Sequence, residues 1–303
     1  MFRKNIFIFV ISLFLSTSIQ ASIYRYVDDN GVTSYTDDIE ETQGYDYDEL
    51  DDLGEPNGDN VFFTYDENTK KLSINNLFNT SIVVKVHVST QDNLSSDVLF
   101  DHAYEIGANT SYELGYFEYS GSEKLDLTRT FLLGKLFTGD LFEYYNTNSS
   151  ELIVPFRGNF KVTQGWQGKY SHKGPKSRYA IDVSMPIGTE ILAVKDGKVI
   201  DMKMDSEIGG PNVKYRPFAN YMRLLHDDGT MSVYVHLKGK SHRFNVGDSV
   251  RKGEVIAYSG NTGYTTGPHL HFVMQSNTKN GIQAIKYKFN NQEPIQGVVL
   301  KGR

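Results

Sequence analysis

Cysteine is absent from all 303 residues. That absence excludes a disulfide scaffold, cysteine-ligated zinc, thiol catalysis and lipidation of an N-terminal cysteine. It does not decide the compartment, because cysteine-free chains also occur in oxidising surroundings. Long runs of Ala, Leu, Glu and Lys are missing too, which disfavours helical bundles and coiled coils. The one extended apolar run near the start, Ile6 to Leu15, is too short to span a membrane comfortably. Glycine (27), tyrosine (20) and phenylalanine (18) are plentiful instead. That mixture favours short strands joined by tight turns.

The apolar run follows Arg3 and Lys4 and gives way to small and polar residues ending at Ala21. This order of segments predicts a secretory signal peptide over residues 1–21 and hence an exported protein. At roughly 100–200 residues per domain, the chain has room for about two domains. Its net charge of −6 hides an asymmetry. Residues 22–150 carry 7 Lys/Arg against 25 Asp/Glu, whereas residues 151–303 carry 22 against 12. The halves, at −18 and +10, either meet different surroundings or complement each other. A basic half can meet nucleic acid, anionic lipid or an anionic wall polymer. Export makes nucleic acid the poorest fit. Intramolecular docking of the acidic half on the basic one is a further expectation; on that expectation, removing residues 22–150 raises activity.

The expected architecture is all-β. Residues 22–36 read as a hairpin, with Asp29-Asn30-Gly31 in the turn. They resemble a short β motif found at the start of exported bacterial proteins, whose role is not established. Residues 37–60 are acidic and are predicted to be a flexible linker. Over 61–150, Ile82, Val84, Val86 and Val88 alternate with Val83, Lys85 and His87, which predicts strands of a small β-sandwich-like domain. Its two histidines, His87 and His102, lack metal spacing and are expected to be structural or solvent-facing. The aromatic stretch Tyr112–Tyr119 is read as core, with glycan contact as the alternative. Residues 151–303 form a separate unit, also read as all-β, with turns at Asp196-Gly197, Asp227-Asp228-Gly229 and Gly260-Asn-Thr-Gly263.

The chemistry concentrates in that last unit, which holds six of the eight histidines: His172, His226, His236, His242, His269 and His271. In Gly267-Pro-His-Leu-His-Phe272, His269 and His271 share one strand face, roughly 6–7 Å apart. One imidazole there can hold a metal while the other stands beside it. Asp182 is a carboxylate inside the apolar run Tyr179-Ala-Ile-Asp-Val183. Burying that charge is unfavourable without a partner. A metal is one such partner, and a salt bridge to Arg178 is another. Two neutral imidazoles and one carboxylate would leave a zinc ion with an open fourth position, the catalytic pattern. His172 lies in a Gly/Lys-rich loop. His236, in Tyr234-Val-His-Leu237, reads as either a core residue or a site residue. His226 and His242 read as solvated loop residues.

These residues carry a family resemblance. The segment from Pro155 to Met274 resembles the lysostaphin/LytM-type zinc metallopeptidases of bacterial cell walls, the M23 peptidases. The matching pieces are Gln164-Gly-Trp166, His172, Tyr179-Ala-Ile-Asp182, Gly188-Thr189, Ala193-Val-Lys-Asp-Gly197, Tyr234-Val-His-Leu237, Gly247-Asp248, Lys252-Gly253, Gly260-Asn-Thr-Gly263 and Gly267-Pro-His-Leu-His271. The resemblance implies a LytM-type antiparallel β-sheet peptidase domain with one zinc ion per chain. It implies His172, Asp182 and His271 as metal ligands and His236 and His269 as catalytic histidines that do not bind the metal. His172 and Asp182 are ten residues apart, a longer interval than the family commonly has. A lengthened loop accounts for this at small entropic cost. Residues 209–219 read as an enlarged loop at the cleft rim. Asn220 matches a family asparagine, with an expected role in orienting ligands or substrate.

The resemblance further implies hydrolysis of peptide cross-links in peptidoglycan; the missing wall-sorting signal and the short exported motif favour a periplasmic location over secretion. No His-Glu-x-x-His helix supplies a glutamate base, so one of His269 and His236 takes the proton of the attacking water and the other stabilises the oxyanion. The +10 half would draw in acidic stem peptides. Two alternatives belong to other classes: a catalytically inactive LytM-type regulator of other wall hydrolases, and a wall-binding protein working through its β-sandwich. A serine acyl-transferase built on Ser249-Val-Arg-Lys252 is disfavoured, because the motif lies in a hairpin and not at a helix start.

Overall fold

The computed structural model describes residues 60–122, 125–137, 145, 152–278 and 281–302, together with the backbone of three earlier strands. Those strands are β1 (Ile23–Val27), β2 (Thr33–Thr36) and β3 (Tyr47–Leu50). They form one antiparallel sheet in the order β2-β1-β3. The β1-β2 pairing, with Tyr26 opposite Ser34, is that of the expected hairpin. The acidic linker expected over 37–60 needs a correction, because β3 falls inside it and pairs with β1, Tyr26 opposite Tyr47. Strand pairing joins backbone groups, and charged side chains do not forbid it. The expected signal peptide, residues 1–21, lies outside the described residues.

Two compact units divide the chain, one with residues 55–135 and the other with residues 20–54 and 136–303. The first holds β4 (Val61–Asp66), β5 (Lys71–Asn76), β6 (Ile82–Val88), β7 (Leu94–Ser96), β8 (Ala103–Ile106), β9 (Thr110–Tyr119) and β10 (Leu127–Leu133). They make two antiparallel sheets, β4-β5-β9-β7 and β10-β6-β8. Alternation in β6 buries Ile82, Val84 and Val86 completely, as a sheet with one core-facing side requires. In β9, Leu114 and Phe117 are buried while Tyr112 is exposed. His87 is held by Asp101 and by Thr130 Oγ1 at 3.1 Å. The ring of His102 packs edge-on to Tyr104. His87 is structural, and His102 is exposed.

The second unit is built on one nine-stranded antiparallel sheet. Its strands are β11 (Asn159–Gln164), β12 (Ile181–Ser184), β14 (Gly197–Lys203), β16 (Tyr221–Leu225), β17 (Thr230–Val235), β18 (Ser249–Val250), β21 (His269–Thr278), β22 (Gly281–Ile285) and β23 (Val299–Lys301). The order is β18-β14-β16-β17-β21-β12-β11-β23, with β22 also paired to β21. Two small pairs complete it: β13 (Glu190–Leu192) with β19 (Val255–Tyr258), and β15 (Gly209–Gly210) with β20 (Gly263–Tyr264). One face of the large sheet packs the core, through Val183, Met222, Leu224, Tyr234, Leu270, Phe272 and Met274. The opposite face carries Val233, Val273, Ala180 and Ala284. By the two-residue period of a strand, His271 and Asp182 belong to that second face. Among the described residues, no helix is long and apolar enough to cross a membrane.

Two loop readings change. The 209–219 segment contains β15, paired in parallel with β20, and a 3-10 turn over Val213–Phe218 capped by Asn212. His226 is buried, not solvated, at 1% exposure. Its ring nitrogens lie 2.7 Å from the Asp196 carbonyl and 3.0 Å from Ser232 Oγ. His242 is half-buried, and its Nδ1 is buried without a hydrogen bond.

Candidate metal centre

Asp182 is the hub of the site. Strand pairing sets it opposite His271 on one side and Gln164 on the other. Its Oδ1 lies 2.9 Å from His271 Nδ1, 3.3 Å from His172 Nε2 and 3.7 Å from His269 Nε2. Its Oδ2 accepts a hydrogen bond from Gln164 Nε2 at 2.8 Å. Burial pushes the Asp182 carboxyl up, but its close contacts with His172 and His271 outweigh burial and hold it well below the usual carboxylate range. The Asp182–Arg178 salt bridge weighed as an alternative is not the arrangement found; the carboxylate faces the histidines.

His172 reaches Asp182 because the intervening loop folds back on itself. Gln167 N–H donates to Arg178 O at 2.7 Å and Arg178 N–H to Gly174 O at 2.7 Å, closing the ten-residue interval. The ring is fully buried. Its Nδ1 lies 2.9 Å from the Gly165 carbonyl. A carbonyl only accepts, so this contact puts a proton on Nδ1, and in the neutral ring that leaves a lone pair on Nε2. That buried Nε2 makes no hydrogen bond, although it faces the carboxylate. Lone pair against anion in a dry site is unfavourable. A cation between them removes the conflict. His172, Asp182 and His271 offer ligand atoms within 4.8 Å of one another, and this donor set suits a divalent metal of the zinc type.

His236 and His269 stand beside this group. Their rings are 4.5 Å apart, and His236 is 6.1 Å from His271. Both donate from Nδ1 to a carbonyl: His236 to Thr262 O at 2.7 Å and His269 to Gly267 O at 2.8 Å. In its neutral form each keeps a bare Nε2. Burial, and then the neighbouring His269 and His271, push the basicity of His236 well below the ordinary histidine range. Burial also lowers His271, against the opposing pull of Asp182. Neutral rings are the form a metal ligand or a general base requires.

All five candidate residues are thus brought together. Asn220 is not among them: its side chain is spent on Ser206 and on the Leu237 carbonyl at 3.1 Å. Sequence reading assigned no role to Gln164, Thr262 or Thr265. Thr265 Oγ1 donates at 2.7 Å to the same Gly267 carbonyl that receives His269. Thr262 lies in the Gly260-Asn-Thr-Gly263 turn that the family motifs marked, which was the available signal; Thr265 falls between two such motifs.

A His-Asp-His group with ligand atoms within 4.8 Å of one another thus stands beside two further histidines on an antiparallel sheet. Residues 176–283 match the family described as Peptidase family M23, so the chain carries an M23 peptidase domain. Residues 10–60 match a domain of unknown function, DUF4124. An uncharacterized metalloprotease of Buchnera aphidicola is 39% identical over 136 residues, covering 43% of this chain and 33% of the relative. Glycyl-glycine endopeptidase ALE-1 of Staphylococcus capitis is 36% identical over 105 residues, covering 34% of this chain and 25% of the relative. The peptidoglycan DD-endopeptidase ShyA of Vibrio cholerae is 28% identical over 165 residues, covering 50% and 35%. The chain thus spans about a third or less of the length of these relatives.

Proposed function

We propose that this chain is an exported zinc metalloendopeptidase that hydrolyses peptide cross-links of bacterial peptidoglycan, in the periplasm. The observation that carries the proposal is the convergence of His172 Nε2, Asp182 Oδ1 and His271 Nδ1 next to the bare Nε2 atoms of His236 and His269. His172, Asp182 and His271 would hold the zinc. Bound there, it supplies a Lewis acid that polarises a scissile carbonyl and acidifies water.

The remaining work falls to the protein. One of His236 and His269 receives the proton of the attacking water at Nε2. The first ring passes that proton to the leaving amine as the C–N bond breaks, and the other, having taken a proton from solvent at Nε2, hydrogen-bonds the oxyanion of the tetrahedral intermediate. Fixed Nδ1–H donors keep both rings oriented without reorganisation during the reaction. ShyA, by its name a peptidoglycan DD-endopeptidase, supports peptidoglycan as substrate. The basic charge of residues 151–303 supports attraction of acidic stem peptides.

The test is solubilisation of purified sacculi by the full chain. Zinc-dependent loss of turbidity, abolished by a chelator and restored by zinc, is expected. Intact sacculi in the presence of zinc-loaded protein would contradict the proposal.

A further inference from the structure

We propose that Thr262 is a positioning residue for His236, acting as a clasp on the backbone that presents that ring. His236 follows directly on β17 and has a φ of 63°. This left-handed conformation is unusual for a residue with a side chain and persists only where the surroundings enforce it. Three chain segments meet to enforce it, and the Thr262 hydroxyl lies at their junction. That hydroxyl donates to the Leu237 carbonyl at 2.9 Å and accepts the Asn220 N–H at 3.0 Å. Asn220 Nδ2 reaches the same Leu237 carbonyl at 3.1 Å, and Leu237 N–H donates to Asn220 O at 3.2 Å. Leu237 is the residue after His236. The clasp therefore grips the chain one residue beyond the ring, while the main-chain carbonyl of Thr262 grips the ring itself through Nδ1 at 2.7 Å.

The loop that carries Thr262 has little freedom of its own. Gly263 N–H donates to Ile208 O at 2.9 Å, and the loop pairs in parallel with β15. Gly263 has a φ of 79°, and a Cβ there would come within 2.5 Å of Ala219 Cβ. Thr262 is 4% exposed and Asn220 is fully buried, so neither is free to meet a substrate. Together they fix the tautomer and ring plane of His236, whose ring lies 4.5 Å from that of His269. The consequence for catalysis rests on the proposed function, because it requires His236 to move a proton in hydrolysis. The structural half does not.

The test compares the full chain with Thr262→Val, which keeps the shape and loses the hydroxyl, and Thr262→Ser, which keeps the hydroxyl. Nitrogen-15 NMR of the histidine rings reports the His236 tautomer without any need for activity. Wild type and Thr262→Ser are expected to show a single Nδ1–H form, and Thr262→Val a mixture of tautomers. With zinc loaded, Thr262→Val should keep its metal and its KM on a soluble cross-linked muropeptide. Its kcat should fall about 10–100-fold, as for other residues that orient a site from behind. Thr262→Ser should recover it. Retention of a single Nδ1–H form in Thr262→Val overturns the proposal. So does parallel loss of metal, KM and kcat with no rescue by serine. If Thr262→Val does not fold, Thr262→Ala serves as the second probe of the same spectrum. An inactive wild type would remove the proposed function and leave the ring spectrum to decide this one.

Discussion

Gln164 Nε2 donates to Asp182 Oδ2 at 2.8 Å, on the side of the carboxylate away from the histidines. The same amide reaches Ser171 Oγ at 2.8 Å, and its oxygen accepts from Tyr170 N–H at 3.2 Å. One buried side chain thus orients the aspartate and also anchors the loop that carries His172. Partners of this kind commonly change metal affinity by about 10–100-fold when removed. Gln164→Leu is expected to weaken zinc binding within that range, measured by competition with a chromophoric chelator. An unchanged affinity would show that strand pairing alone positions Asp182.

Ligand and non-ligand histidines separate by their effect on metal content. His172→Ala and His271→Ala should purify with little zinc and show no hydrolysis. His236→Ala and His269→Ala should retain one zinc per chain while kcat drops by about 10²–10⁴, the range of a lost general acid or base. Elemental analysis of the four variants decides the matter. A His269→Ala protein that has lost its zinc would reassign that residue as a ligand.

Acid sensitivity should come partly from a residue far from the site. Burial lowers the basicity of His226, against the opposing pull of the Asp196 carbonyl, so the folded state binds its proton less readily than the unfolded chain. Stability then falls as pH drops below the unfolded histidine value, about 6.5, towards the lower folded value. Asp182, held low in the folded state, adds a loss of the same sign at still lower pH in the metal-free protein. Urea midpoints of the metal-free chain should decline from pH 7 to pH 5, and less steeply in His226→Asn. Equal slopes would assign the acid sensitivity elsewhere.

How far the sequence carries depends on the range of the interaction. The pairing of His269 with His271, and the buried charge of Asp182, follow from the two-residue period of a strand. The ring of His226 could not be placed that way. Its Asp-Asp-Gly neighbours signal a solvated turn, yet the ring packs against Gly197, where a Cβ would come within 2.8 Å of Nδ1. The Gly165 and Thr262 carbonyls that set the tautomers of His172 and His236 are main-chain atoms, so no side-chain pattern announces them. Strand β3 was hidden by its acidic composition for the same reason: the backbone pairs, whatever the side chains.

The most direct measurement is a muropeptide digest. Zinc-loaded protein and its His271→Ala variant are incubated with purified sacculi, and the released fragments are read by mass spectrometry. Loss of cross-linked dimers with the wild type alone, and a matching gain of monomers cut at one peptide bond, is the predicted result. Unchanged dimers with a fully zinc-loaded wild type would contradict the assignment of this chain as a cross-link endopeptidase.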